Sequence, residues 1–258
     1  MSLHHSIRAC AAATLLTVLA VTPSAAARAA DLAVGAAASL APAMEQIGRE
    51  FEAARPGTRV QFSFAQSDAL LNQITTGTPI DVFIPDDDEV MDRAAGVMLA
   101  GTRRDVAANR LVLIVPPAAA ASAPALTSLA DLATPRIERI AIGNPPSVTA
   151  GRYAKGALER ADLWATLTPK FLFAADSKAV RDTVVRGEAG AGFVYATDAA
   201  LVGDRVKVAF SVPTVTSIRY SAAIPRASTE EALAREFLQY LRSAPARKVL
   251  AYYGFSGI

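Results

Sequence analysis

Hydrophobic residues along this chain follow two alternating patterns. Short β-branched or aromatic runs are separated by longer stretches whose apolar residues recur at three- and four-residue steps, as strands alternating with amphipathic helices would. The strand-like runs cover 31–37, 59–64, 81–84, 111–115, 139–142, 170–174, 191–195 and 205–210. Such a series predicts an α/β protein with mostly parallel strands joined by helical crossovers.

The first helix shows how the pattern is read. Leu40, Ala43, Met44, Ile47, Phe51 and Ala54 share one face, so that face should be buried. Ser39 precedes it as an expected N-cap. Pro42 is tolerated in the first turn, and Pro56-Gly57 ends the helix. The same strand-to-helix junction recurs at Ser67, at Val148-Thr149-Ala150-Gly151 and at Ser177. Four turns thus carry small or hydroxyl residues, and in an open α/β sheet such turns line one edge, where ligands bind. Tyr195 ends a strand at the same edge. Taken singly each serine is an ordinary cap, and Tyr195 an ordinary core aromatic with its hydroxyl at the surface. Together they suggest an anion site, because helix N-termini offer unpaired N–H donors and about half a positive charge each.

Composition narrows the chemistry. Residues 1–29 have the layout of a cleavable secretory signal: Arg8, an apolar stretch from Ala9 to Val21, then a small-residue run with Ala27-Arg28-Ala29 as the expected cleavage site. Cys10, His4 and His5 all lie inside it. The expected mature chain therefore has no cysteine or histidine, which excludes disulfides, thiolate nucleophiles, Ser-His-Asp triads and imidazole or thiolate zinc sites. Removing Arg8 and Arg28 leaves 24 basic residues against 24 acidic, so nothing points to nucleic acid as a partner. The remainder is long enough for one large domain or two of about 110 residues.

Other features have plainer readings. Asp86-Asp87-Asp88 after Pro85 is expected to be a solvated helix start; the rival reading is a divalent-metal hydrolase using Asp86 or Asp88. Tyr252-Tyr253 should pack a C-terminal helix end, Trp164 should pack without a ligand role, and 116–124 should be a surface loop.

Aligned on its turns, the chain resembles the periplasmic molybdate-binding proteins of ABC transporters, which are type II solute-binding proteins. The resemblance rests on Ala36-Ala-Ala-Ser-Leu-Ala-Pro-Ala-Met44, Phe64-Ala-Gln-Ser-Asp-Ala-Leu70, Asp81-Val-Phe-Ile84, Gly143-Asn-Pro-Pro-Ser-Val-Thr-Ala-Gly-Arg-Tyr-Ala-Lys155, Leu163-Trp-Ala-Thr-Leu-Thr-Pro-Lys170, Gly192-Phe-Val-Tyr-Ala-Thr-Asp198 and Tyr253-Gly-Phe255. It implies a two-lobed α/β fold, each lobe a mixed, mostly parallel sheet flanked by helices. One lobe would comprise 31–110 and 214–258 and the other 111–213, with two hinge strands near 109–112 and 212–216. It implies capture of molybdate, and of tungstate, between the lobes by Ser39, Ser67, Ala150, Ser177 and Tyr195. It also implies a periplasmic monomer that performs no catalysis, carries no cofactor or metal-ion ligands, and delivers to a membrane permease. The alternative is the same fold serving a different small anion or iron.

Three residues depart from the family pattern. Thr149 stands where proline is common, Lys178 follows Ser177 where an apolar residue is usual, and Asp68 beside Ser67 is expected to point outward and cap its helix. A donor-only site should also reject phosphate, whose proton would find no acceptor.

Overall fold

The computed structural model describes residues 30–118 and 125–257. The expected signal, with Cys10, His4 and His5, and most of the loop 116–124 lie outside these residues.

Ten strands among the described residues form a three-stranded, a two-stranded and a five-stranded sheet, and a single bridge joins the first two into one composite sheet. In the first, β1 (Ala30–Ala37) lies between β2 (Thr58–Ala65) and β3 (Val82–Ile84), and both pairings are parallel. Phe83 and Ala223 exchange both backbone hydrogen bonds. That bridge ties β3 to an antiparallel pair, β10 (Ile218–Ala222) with β4 (Arg104–Asn109). The second sheet has the order β7-β6-β8-β5-β9, built from β5 (Leu111–Val115), β6 (Ile140–Gly143), β7 (Phe171–Ala174), β8 (Ala191–Tyr195) and β9 (Lys207–Ser211). Its β7-β6-β8 half is parallel, and β5 pairs antiparallel with both β8 and β9. Each sheet is therefore a parallel trio extended by an antiparallel pair, a correspondence that no sequence repeat announces.

The helices are α1 (Ala41–Ala53), α2 (Ser67–Thr75), α3 (Asp88–Arg93), α4 (Thr149–Arg160), α5 (Trp164–Leu167), α6 (Ser177–Val185), α7 (Ala196–Ala200), α8 (Glu231–Leu241) and α9 (Ala244–Tyr252). Among the described residues, none is long and apolar enough to cross a membrane. The amphipathic face of α1 buries Ala43, Met44, Ile47 and Phe51, while Ala54 falls just beyond the helix and is exposed. Phe51 meets the ring of Phe237 edge-on at 5.1 Å, tying α1 to α8.

All eight expected strands are present, most with ends shifted by one or two residues. β4 and β10 were not expected. Neither carries a β-branched run, and β4 reads Arg-Asp-Val-Ala-Ala-Asn; their pairing across more than a hundred residues is what makes them strands. The second hinge strand, expected at 212–216, is irregular instead, since β9 ends at Ser211 and β10 begins at Ile218. Among the described residues the chain passes between the sheets twice, at Arg110 and across 212–217.

Candidate functional site

The loops after β1, β2, β6 and β7 face one another across the two sheets. Ala38, Ser39, Ala65, Gln66, Ala150 and Ser177 line a cavity of about 150 Å³. Tyr195, at the end of β8, completes it together with Val148 and four charged residues, Asp86, Asp176, Lys178 and Asp198. Sites for organic ligands usually exceed about 300 Å³, so this one suits a small ion. A wider groove of about 1120 Å³ opens beside it, past Asp87 and Arg152. None of the four strand-to-helix turns lines that groove.

Each turn is built differently from its expected form. Ser39 is not the N-cap of α1; it sits in a single 3-10 turn, Ala38–Leu40, and its hydroxyl meets that of Tyr220 at 3.2 Å. Asn109 donates to the same Tyr220 hydroxyl at 3.1 Å and to Thr197 at 3.0 Å, so a polar chain runs from the first sheet to the second. Ser67 and Ser177 are the first residues of α2 and α6, not their caps. Asp176 caps α6 by accepting from the Ala179 N–H at 2.7 Å. At α4 the helix packs so closely on the end of β6 that Gly151 lies against the Gly143 carbonyl.

Of the five expected ligand residues, Ser39, Ala150, Ser177 and Tyr195 line the cavity directly. Ser67 stands behind it: its hydroxyl donates to the Asp86 carboxylate at 2.5 Å and accepts from the Asp86 backbone N–H at 3.0 Å. Tyr195, only 1% exposed, donates to the other Asp86 oxygen at 3.1 Å. Burial holds the Tyr195 hydroxyl well above its ordinary pKa, so it remains a donor.

The acidic triplet is therefore not a solvated helix start. Asp87 does cap α3, accepting from the Val90 N–H at 2.7 Å, but both Asp86 and Asp87 are buried. Pro85 continues from β3, the strand that pairs with β1, so the next residue enters the same sheet edge as the loops after β1 and β2. That placement was the signal available in the sequence. Among the described residues no cluster of three or more potential metal ligands is present.

Asp68 also departs from expectation. Its carboxylate does not cap α2 but pairs with Arg93 and, at 3.1 Å, with Arg152 of α4. Arg152 reaches Asp87 as well, at 2.9 Å, so one guanidinium joins the edges of both sheets beside the cavity. Burial of Asp68 opposes ionisation, but the two arginines outweigh it and hold its carboxyl below the usual range.

Asp198, on α7, is 6% exposed, and its Oδ2 has no hydrogen-bond partner. Burial pushes its pKa up to about 6, opposed by the charge of Arg181 and a backbone hydrogen bond from Tyr195. The folded protein thus holds a proton that the unfolded chain, with an ordinary Asp near pH 4, has already lost. Stability from this group is present at low pH and is lost as pH rises from about 4 through about 6. Asp198→Asn is expected to gain roughly 2–3 kcal/mol on the native protein between pH 4 and pH 7. Urea denaturation at both pH values measures this, and a pH-independent difference would contradict the assignment.

The sequence profile described as bacterial extracellular solute-binding protein matches residues 32–256. The chain is 34% identical over 230 residues to the molybdate-binding protein of Escherichia coli (strain K12), covering 87% of this chain and 88% of that one. It is 32% identical over 231 residues to the molybdate-binding protein of Haemophilus influenzae, covering 88% and 90%. A solved substrate-binding domain of a putative molybdenum ABC transporter from Clostridium difficile superposes with a TM-score of 0.73 at 30% identity, over 89% of this chain and 99% of that one.

Proposed function

Because the chain belongs to the family of bacterial extracellular solute-binding proteins, we propose that it captures molybdate in the cavity between its two sheets and delivers it to an ABC importer. A member of this family works outside the cytoplasm; here the periplasm is the compartment, reached after removal of 1–29. The observation that carries the ligand assignment is the convergence of four strand-to-helix turns and the Tyr195 hydroxyl on a cavity too small for an organic metabolite. The N–H groups of Ala150 and Ser177 and the hydroxyls of Ser39, Ser67 and Tyr195 are the proposed oxyanion contacts, made to its oxygens and not to the metal. Tungstate has the same charge and nearly the same size, and it should bind too.

Residues 31–110 with 214–258 form one proposed lobe and 111–213 the other. In support, among the described residues the chain passes between the sheets only near the two proposed hinge segments, at Arg110 and across 212–217. Contacts from both lobes to one anion make closure and binding a single equilibrium, and the closed form is what the permease recognises. The protein acts as a monomer and performs no chemistry on its cargo.

The donor-only argument against phosphate does not carry over unchanged. Asp86 is an acceptor facing the cavity, so a protonated oxyanion has somewhere to donate. Size remains as the selective feature, since sulfate is smaller than molybdate and reaches fewer donors at good distance. Calorimetry against molybdate, tungstate, sulfate and phosphate tests the reading. Molybdate and tungstate should bind at least tenfold more tightly than sulfate; equal affinity for sulfate and molybdate would defeat the size argument.

A further inference from the structure

The cavity contains a buried carboxyl that an oxyanion site does not need. Asp86 is 6% exposed, and its two oxygens accept the hydroxyl hydrogens of Ser67 and Tyr195, two of the three hydroxyls proposed to hold the ligand. A hydroxyl has one hydrogen. While Asp86 is ionised, neither group can donate to an anion, and the carboxylate repels a dianion across the same small space.

We propose that Asp86 couples capture to one proton: the anion enters with a proton that is held between the Asp86 carboxyl and an anion oxygen. This rests on the oxyanion reading of the cavity. The balance is simple. An unprotonated dianion such as molybdate requires the carboxylate to take one proton from solvent, whereas an anion that already bears a proton supplies it and nothing is taken up. Once neutral, the carboxyl becomes a donor to the anion and releases at least one of the two hydroxyls. Asp86 is thereby a specificity-determining residue as well as a proton acceptor.

The surroundings favour this. Asp87, next in the chain, adds negative charge, and Arg152, which pairs with it at 2.9 Å, divides its guanidinium between Asp87 and, at 3.1 Å, Asp68. From α4, Thr149 offers Asp86 a hydroxyl; from the β8–α7 corner, Tyr195 and the buried Asp198 face the same space. Tyr153 of α4 and Tyr220 of β10 are neutral neighbours whose own ionisation Asp86 opposes. From α6, Asp176 and Lys178 line the cavity with opposite charges, and Arg181 offsets Asp198. Burial outweighs the hydroxyl contacts and raises the Asp86 pKa.

Calorimetry of the wild-type protein and Asp86→Asn with sodium molybdate, from pH 6 to pH 9 in buffers of different ionisation heat, reads the coupling directly. The wild type is expected to take up close to one proton on binding in the upper part of this range. Its affinity should fall about tenfold per pH unit there. Asp86→Asn is expected to take up none and to vary less than threefold across the range. Molybdate binding to the wild type with flat affinity and no uptake overturns the proposal, as does a variant that keeps the wild-type slope. If neither protein binds molybdate at any pH, the molybdate reading itself fails.

Discussion

Gly151→Ala is expected to lower the stability of the native protein by about 3 kcal/mol or more, or to prevent folding altogether. A methyl group there would lie 2.1 Å from the Gly143 carbonyl oxygen and 2.6 Å from its carbon. Both are backbone atoms at the end of β6, so no side chain can rotate away; the N-terminus of α4 would have to lift off the sheet. Overpacking in an interior that can adjust costs about 1–3 kcal/mol, and this contact has less freedom to adjust. The same shift moves the Ala150 N–H out of the cavity, so any folded fraction should bind molybdate at least tenfold more weakly. Urea denaturation of the variant measures the first effect and calorimetry the second. A denaturation midpoint within experimental error of the wild type would show that α4 and β6 are not in contact as described.

The double substitution Ser39→Ala and Ser67→Ala is expected to weaken molybdate binding by roughly 100- to 10,000-fold. A hydrogen bond to a charged group contributes about 1.5–3 kcal/mol, and two such bonds are removed. The fold should survive. Ser39 loses only its contact with the Tyr220 hydroxyl, whose oxygen still accepts from Asn109. Ser67 is costlier, because the buried Asp86 N–H donates to its hydroxyl and would be left without that acceptor, a loss of about 1–2 kcal/mol. Circular dichroism should therefore match the wild type while the denaturation midpoint falls modestly. Affinity within twofold of the wild type, at one fixed pH, would remove these hydroxyls from the site.

Arg152 fastens the edges of the two sheets to each other by charge. It contacts Asp68 and Asp87 at the edge of the first sheet from a helix that packs on the second. Asp87 is buried while Arg152 and Asp68 are partly exposed, so solvent screens the Asp68 arm more than the Asp87 arm. In the proposed hinge mechanism such a pair biases the ligand-free protein toward closure.

The sequence by itself determined the order of eight strands and which strand-to-helix turns share one sheet edge. Eight strands were legible because burial imposes a local alternation or run on each, and α1 because its apolar steps repeat within four turns. The turns at Ser39, Ser67, Ala150 and Ser177 were legible for a related reason: a helix following a parallel strand opens its N–H groups at the sheet's carboxyl edge wherever the strand lies. Only the tertiary structure decided what shares that edge. β4 and β10 owe their strand character to each other, and neither segment's own pattern records it. Asp86, Asp87 and Asp88 are chemically identical and adjacent, yet one faces the cavity, one caps α3 while meeting Arg152, and one pairs with Arg103 nearer the surface. Their fates follow from the direction in which the chain leaves β3 and from partners far away in sequence, at Ser67, Tyr195 and Arg152. A string of residues specifies neither directly, because side-chain direction and long-range contact exist only once the sheets are assembled.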